Sequence, residues 1–176
     1  VFIDPSPRLG GTLDLNGNLA YNIKHNQLNV IENNITGELI YNYGNIDYLP
    51  AFISKTTNAM IIPVSGKGLW SSLYGYFAND LTDFNSVKGI TFYQHGETPG
   101  LGAEITKEWF KSNFIGKKIY KNDTLHSIKV TKAGGADKNS SYEVDGISGA
   151  TITGRGVETL LKRDLSRYEV YFRKSK

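Results

Sequence analysis

The chain has 176 residues, 39% hydrophobic and 21% charged, with a net charge of +3. That size and balance fit one folded domain with its own core, exclude a disordered chain, and offer no block of like charges for nucleic acid. The absence of cysteine excludes disulfides, thiolate-bound zinc, iron–sulfur centres and thiol nucleophiles. The first third reads as short strands and turns. Leu13-Asp14-Leu15 and Leu19-Ala20-Tyr21 flank Asn16-Gly17, a dipeptide that favours the positive φ angles of a hairpin turn. Ala59 to Val64 is an apolar run fit for a buried strand, with Pro63 marking its end or a sheet edge. Leu69 to Phe77 mixes aromatics with Ser and Gly and reads as a strand packed on both faces. Ile90 to Gln94 is bulky and β-branched, again a strand.

Two helices are signalled next. Thr106 caps the first, with Ile105 and Phe110 as a hydrophobic staple. Trp109, Phe110, Asn113 and Phe114 form its inner face, which assigns Trp109 to the helix–sheet core, and Gly116 is its stop. His126, Ile128 and Val130 alternate with Leu125, Ser127 and Lys129 as in a strand. Ala133 to Ser141 is a loop before a short strand through Tyr142 and Val144. The second helix carries an apolar stripe of Val157, Leu160, Leu161, Leu165 and Tyr168. Strands interspersed with two helices predict an α+β domain with a mainly antiparallel sheet, a single unit over 1–176.

Asp145-Gly146-Ile147-Ser148-Gly149-Ala150-Thr151-Ile152-Thr153 lies directly ahead of that second helix. A helix start offers backbone N–H groups without internal partners and the positive end of the dipole, a favourable seat for a phosphate. Gly149 and Ala150 keep bulk away from the approach, and Arg155 adds a cation. Taken by itself the stretch also reads as a tight strand-to-helix turn, with Thr153 as N-cap and Ile152 and Val157 as a staple.

A second stretch, Gly96-Glu97-Thr98-Pro99-Gly100-Leu101-Gly102, follows a strand. Gly100 and Gly102 allow close approaches that a Cβ would forbid. Leu101 can form an apolar plate, Thr98 and neighbouring amides a polar edge, and Glu97 can brace a loop by accepting backbone N–H bonds. Gly66-Lys67-Gly68 lacks the surroundings of a phosphate-binding P-loop. His25, His95 and His126 have no metal-ligand spacing, and only His95 adjoins the glycine-rich loop. No arrangement of serine, histidine and acid reads as a hydrolase.

The Ser-Gly-Ala-Thr-x-Thr stretch, the Gly-Glu-Thr-Pro-Gly-Leu-Gly loop and Gly68-Leu69-Trp70-Ser71 together resemble an FMN-binding family, in the NqrC branch found in sodium-translocating NADH:quinone oxidoreductases. The resemblance implies FMN joined through its phosphate to the last threonine of the motif, Thr153, by a flavin transferase. Thr151 is the nearest rival acceptor and is given a loop-shaping role. It also implies cofactor contacts from Asp145, Ser148, Gly149, Ala150, Thr151, Glu97, Thr98, Gly100, Leu101, Gly102 and Trp70, with no catalytic residue and no metal. By the same resemblance the chain is an electron relay in a bacterial inner-membrane complex, its soluble domain on the periplasmic side. Partners would be the other subunits; the opening at Val1 without methionine leads us to expect a removed upstream segment, and the resemblance implies that this is an N-terminal membrane helix. The related ferredoxin:NAD⁺ oxidoreductase G subunit shares both flavin motifs but is disfavoured by Gly68-Leu69-Trp70-Ser71. A lone FMN-dependent reductase and a binding module without cofactor are the remaining alternatives.

Overall fold

The computed structural model describes residues 12–14, 19–20 and 27–174. Five strands, β1 (Thr12–Asp14), β2 (Leu19–Ala20), β3 (Asn29–Glu32), β4 (Leu39–Tyr43) and β5 (Ile46–Pro50), form an antiparallel sheet in the order β2-β1-β5-β4-β3. β1 and β2 pair through Thr12↔Ala20 and Leu13↔Leu19, as the hairpin expectation requires, while Asn16-Gly17 lies outside the described residues.

The second sheet holds the core. β6 (Phe52–Ser54), β7 (Ala59–Lys67), β8 (Ser72–Asp80) and β9 (Val87–Gln94) are antiparallel in that order. β7 does not end at Pro63 but continues to Lys67. Pro63 is tolerated because β6 pairs only with Ala59, Met60 and Ile61, so the missing N–H falls where β7 has lost that neighbour. β8 begins at Ser72, three residues later than expected, because Leu69, Trp70 and Ser71 turn the chain from β7 into β8. Its inner face buries Leu73 and Phe77 completely, while Tyr74 and Tyr76 look outward and are half-buried. Tyr74 and Ser72 donate hydrogen bonds to Glu32 of β3, which ties the first sheet to the second.

A 3-10 turn (Gly102–Thr106) leads into α1 (Glu108–Ser112). The helix is capped at Lys107, not Thr106, whose hydroxyl donates instead to the Ala103 carbonyl. Ile105 and Phe110 are both fully buried, so the apolar pair is right although the cap is not. Trp109 is not core. It is 47% exposed and its indole N–H donates to Glu104. Adjacent helical residues point about 100° apart, so Trp109 cannot share the face that Phe110 and Phe114 bury.

Beyond α1, β10 (Tyr120–Lys121) and β11 (Thr124–Leu125) form a small hairpin, and β12 (Lys129–Val130) runs parallel to β13 (Glu143–Val144). The strand expected across Leu125 to Val130 is broken at Ser127, whose φ of 64° takes it out of the extended region. α2 (Thr151–Lys174) closes the domain. Val157, Leu160, Leu161, Leu165 and Tyr168 are all buried, and the stripe extends to Phe172. It lies against Met60, Ile62, Val64, Leu73 and Phe77, with each large side chain contributing roughly 1.5–3 kcal/mol by leaving water. Gly66 and Gly156 permit this approach: a Cβ on the first would meet Leu160, and one on the second the Lys67 carbonyl. The α+β class and the mainly antiparallel sheets agree with the sequence expectation.

Candidate functional site

The end of β7, the loop after β9 and the start of α2 converge on one carboxylate. Glu97 is 5% exposed. Its Oε1 accepts from the backbone N–H groups of Trp70 (2.9 Å) and Ser71 (3.0 Å) and from the Ser71 hydroxyl (3.2 Å). Its Oε2 accepts from Leu69 N–H (3.1 Å) and from the Thr153 hydroxyl (2.6 Å). Burial pushes the Glu97 carboxyl up, but the bonds from Thr153, Trp70, Leu69 and Ser71 outweigh it and hold it below the usual range. Glu97 therefore braces the Leu69–Ser71 turn rather than its own loop, and bolts that turn to α2. His95 serves the loop instead, its Nδ1 accepting from Glu97 N–H. Gly102 and Gly68 leave room for the bolt. A Cβ on Gly102 would stand 2.6 Å from Glu97 Oε2 and 2.7 Å from Thr153 Oγ1, and one on Gly68 2.6 Å from Glu97 Oε1.

α2 begins three residues before the expected position. Gly154 N–H bonds to the Ala150 carbonyl, so Ala150 takes the cap position and Thr153 falls inside the first turn. The Ile152–Val157 staple does not form, because Ile152 is exposed. The earlier start also exchanges the environments of the two threonines. Thr153 is 1% exposed with its hydroxyl engaged by Glu97, whereas Thr151 is exposed. The hydroxyl expected to receive a phosphoryl group is thus sealed inside, and its rival stands open. The reason is the helical phase: a step of two residues turns a side chain by about 200°, from outer to inner face.

Thr151 opens into a cavity of about 640 Å³ between α2 and the β12 strand with its following loop. Lys129, Lys132 and Arg155 supply three cations to its wall, and Thr131, Thr159 and Glu158 add polar groups. Lys129 pairs with Glu143 at 3.0 Å, and Glu158 accepts from Val130 N–H at 3.1 Å. Asp145 is spent on structure, accepting from Ala136 N–H at 2.9 Å and fixing the loop that carries Gly135. Ser148 and Gly149 are exposed and Ala150 is buried. Gly149 has a φ of 74°, and a Cβ there would come 2.9 Å from Leu101 Cδ2, which puts the Leu101 side chain directly over the motif. Gly100 adopts a φ of 73°, and the Thr98 carbonyl accepts from Leu101 and Ala103 N–H, so the loop is a set of tight turns. Trp70, Leu101 and Leu69 are left 71%, 42% and 43% exposed, apolar surface that the core does not use. The Leu69–Ser71 and Thr153 partners of Glu97 and the two lysines of the cavity had no local sequence signal; only the folded chain brings them to the motif. His126 is exposed and stands edge-on to Tyr142, away from this cluster, and His25 lies outside the described residues. Among the described residues there is no group of acids and histidines that could hold a metal ion.

An exposed hydroxyl at a helix start, a cation-lined cavity and solvent-facing apolar side chains fit a flat, phosphorylated cofactor. Accordingly, the chain belongs to the FMN-binding domain family, whose profile matches residues 68–166, the span that contains all these features. Within the family its place is with the NqrC subunit of the Na(+)-translocating NADH-quinone reductase. It is 50% identical over 99 residues to that subunit from Vibrio campbellii and 44% identical over 107 residues to that from Pseudomonas aeruginosa. These matches cover 56% and 59% of this chain, which spans only 37% and 40% of the relatives' length. The crystal structure of the same subunit from Parabacteroides distasonis superposes with a TM-score of 0.66 at 32% identity, over 96% of this chain and 80% of that one. Shewanella oneidensis NqrC gives 0.70 at 26% identity, over 93% and 82%. Among the described residues no helix is long and apolar enough to cross a membrane.

Proposed function

We propose that this chain is the FMN-carrying relay of a sodium-translocating NADH:quinone reductase, with the cofactor joined by a phosphoester to Thr151. The reading rests on the likeness to the NqrC relatives and on the family profile, whose match over residues 68–166 spans the Leu69–Ser71 turn, the Glu97–Gly102 loop and the motif at α2. In the assembled complex the domain stands outside the cytoplasmic membrane beside the other subunits, held by a membrane segment on its N-terminal side.

Bound FMN supplies reversible one- and two-electron chemistry. The residues of this chain bind and orient it. Leu101 offers an apolar plate beside the motif, and Trp70 and Leu69 offer a second apolar surface across the loop. Glu97, Gly102 and Thr153 fix the distance between those surfaces and α2. Thr151 replaces Thr153 as proposed acceptor because a flavin transferase must reach the hydroxyl, and Thr153 is both buried and hydrogen-bonded. In the transfer, Thr151 Oγ forms the new P–O bond to the flavin phosphate, the phosphoanhydride of a flavin dinucleotide donor breaks, the nucleoside monophosphate half leaves, and the threonine proton is released.

The test is the intact mass of the chain produced together with a flavin transferase. A gain equal to FMN less one water is expected, and the loaded domain alone should not oxidise NADH. An unchanged mass under confirmed transferase activity would refute covalent attachment, and turnover of NADH without partner subunits would refute the relay.

A further inference from the structure

The cavity beside Thr151 carries more positive charge than the fold needs. Lys129 is committed to Glu143, and the Glu158 carboxylate is held by the Val130 amide. The Lys132 ammonium and the Arg155 guanidinium have no hydrogen-bond or ion-pair partner among the described residues, although both line the same cavity. Glu158 offsets one of these charges, since an amide hydrogen bond leaves a carboxylate charged, and the excess of positive charge that remains suits the concavity to an anion. Thr151 opens into this cavity one helical turn before Arg155, the spacing at which helical side chains stack on one face. Thr131 and Gly135 complete the opposite wall. Asp145, through its bond to Ala136 N–H, secures the loop that brings Lys132 and Gly135 there.

We propose that Lys132 and Arg155 form the seat for the phosphodiester anion of a flavin attached at Thr151. This rests on the Thr151 reading above. The single negative charge of the diester would be balanced by these two cations, which line the cavity Thr151 opens into at the positive end of α2. Arg155 would offer its guanidinium N–H groups to the phosphate oxygens, and Lys132 its ammonium from the loop after β12. The cofactor is thus held at both ends, by charge at its phosphate and by Leu101 and Trp70 at its ring.

The experiment compares thermal unfolding of apo and flavin-loaded chain, for wild type and for Lys132→Gln/Arg155→Gln. Loaded material is first mapped by tandem mass spectrometry, and a linkage away from Thr151 would overturn the underlying reading separately. In the apo form the double substitution should leave Tm unchanged or raise it, because like charges are removed. In the loaded form it should lower Tm by about 2–4 °C, the size of one solvent-exposed ion pair in a domain this large. A second measurement needs no variant: the Tm gain of loaded over apo wild type should shrink at ~1 M salt, where the screening length falls to about 3 Å. Equal shifts of the double variant in both forms, or a loading increment independent of salt, would overturn the proposal.

Discussion

Removing Glu97 should unfasten the site and lower the stability of the whole domain. Glu97→Ala deletes the acceptor for Leu69, Trp70 and Ser71 N–H and for the Thr153 hydroxyl. The three amides lie in a turn at the surface and regain water, so each loses only the net worth of a hydrogen bond, about 0.5–1.5 kcal/mol. The Thr153 hydroxyl, 1% exposed, keeps no route to water and bears a desolvation cost of about 1–3 kcal/mol. Together these give a loss of about 2.5–7.5 kcal/mol, readable as a lower urea midpoint at unchanged slope. Glu97→Gln should cost less, since one oxygen remains and the Thr153 hydroxyl can rotate to accept from the new amide. A double-mutant cycle with Thr153→Val should then return a coupling of about 1–3 kcal/mol. If Glu97→Ala cost under about 0.5 kcal/mol, as a surface substitution does, the bolt would have no energetic reality.

Three further outcomes follow from the same geometry. Gly102→Ala places a methyl 2.6 Å from Glu97 Oε2 and 2.7 Å from Thr153 Oγ1, and should destabilise the domain by about 1–3 kcal/mol in urea titration through overpacking. Burial lifts the Asp164 carboxyl to about 6, against the pull of Arg163, Ser65 N–H and Arg167. The folded state therefore keeps a proton that the unfolded chain has already released. The Asp164 contribution should make stability fall as pH rises from about 4 to about 6, and Asp164→Asn should flatten that slope. Trp70, 71% exposed, should tolerate Trp70→Ala within about 0.5 kcal/mol, while the loaded variant should show brighter flavin fluorescence if the indole packs on the ring as proposed.

The elements most legible in the sequence were those whose pattern is local and repeated. The α2 stripe from Val157 to Tyr168 repeats at helical spacing and is buried as expected, because burial of that face decides where the helix lies. Ile90 to Gln94 and Ala59 to Val64 fell within β9 and β7 for the same reason. Errors gathered at element ends. Thr106 and Thr153 are both good N-caps by chemistry, yet neither caps its helix, because Phe110 and Val157 must point inward and that packing sets the phase. The phase is also what exchanges Thr151 and Thr153, a difference no composition or motif can express. The role of Glu97 was half visible: its capacity to accept N–H bonds was clear, but the turn it braces lies 26–28 residues earlier in the chain. Lys129 and Lys132, ordinary in the sequence, acquire meaning only when β12 runs alongside the start of α2.

Localising the flavin by tandem mass spectrometry of peptides spanning 145–155 decides whether the open threonine or the buried one carries the cofactor. Fragment ions should put the FMN increment on Thr151, with Thr151→Ala abolishing it and Thr153→Val retaining it on a less stable domain. An increment on Thr153 that survives Thr151→Ala would contradict the account.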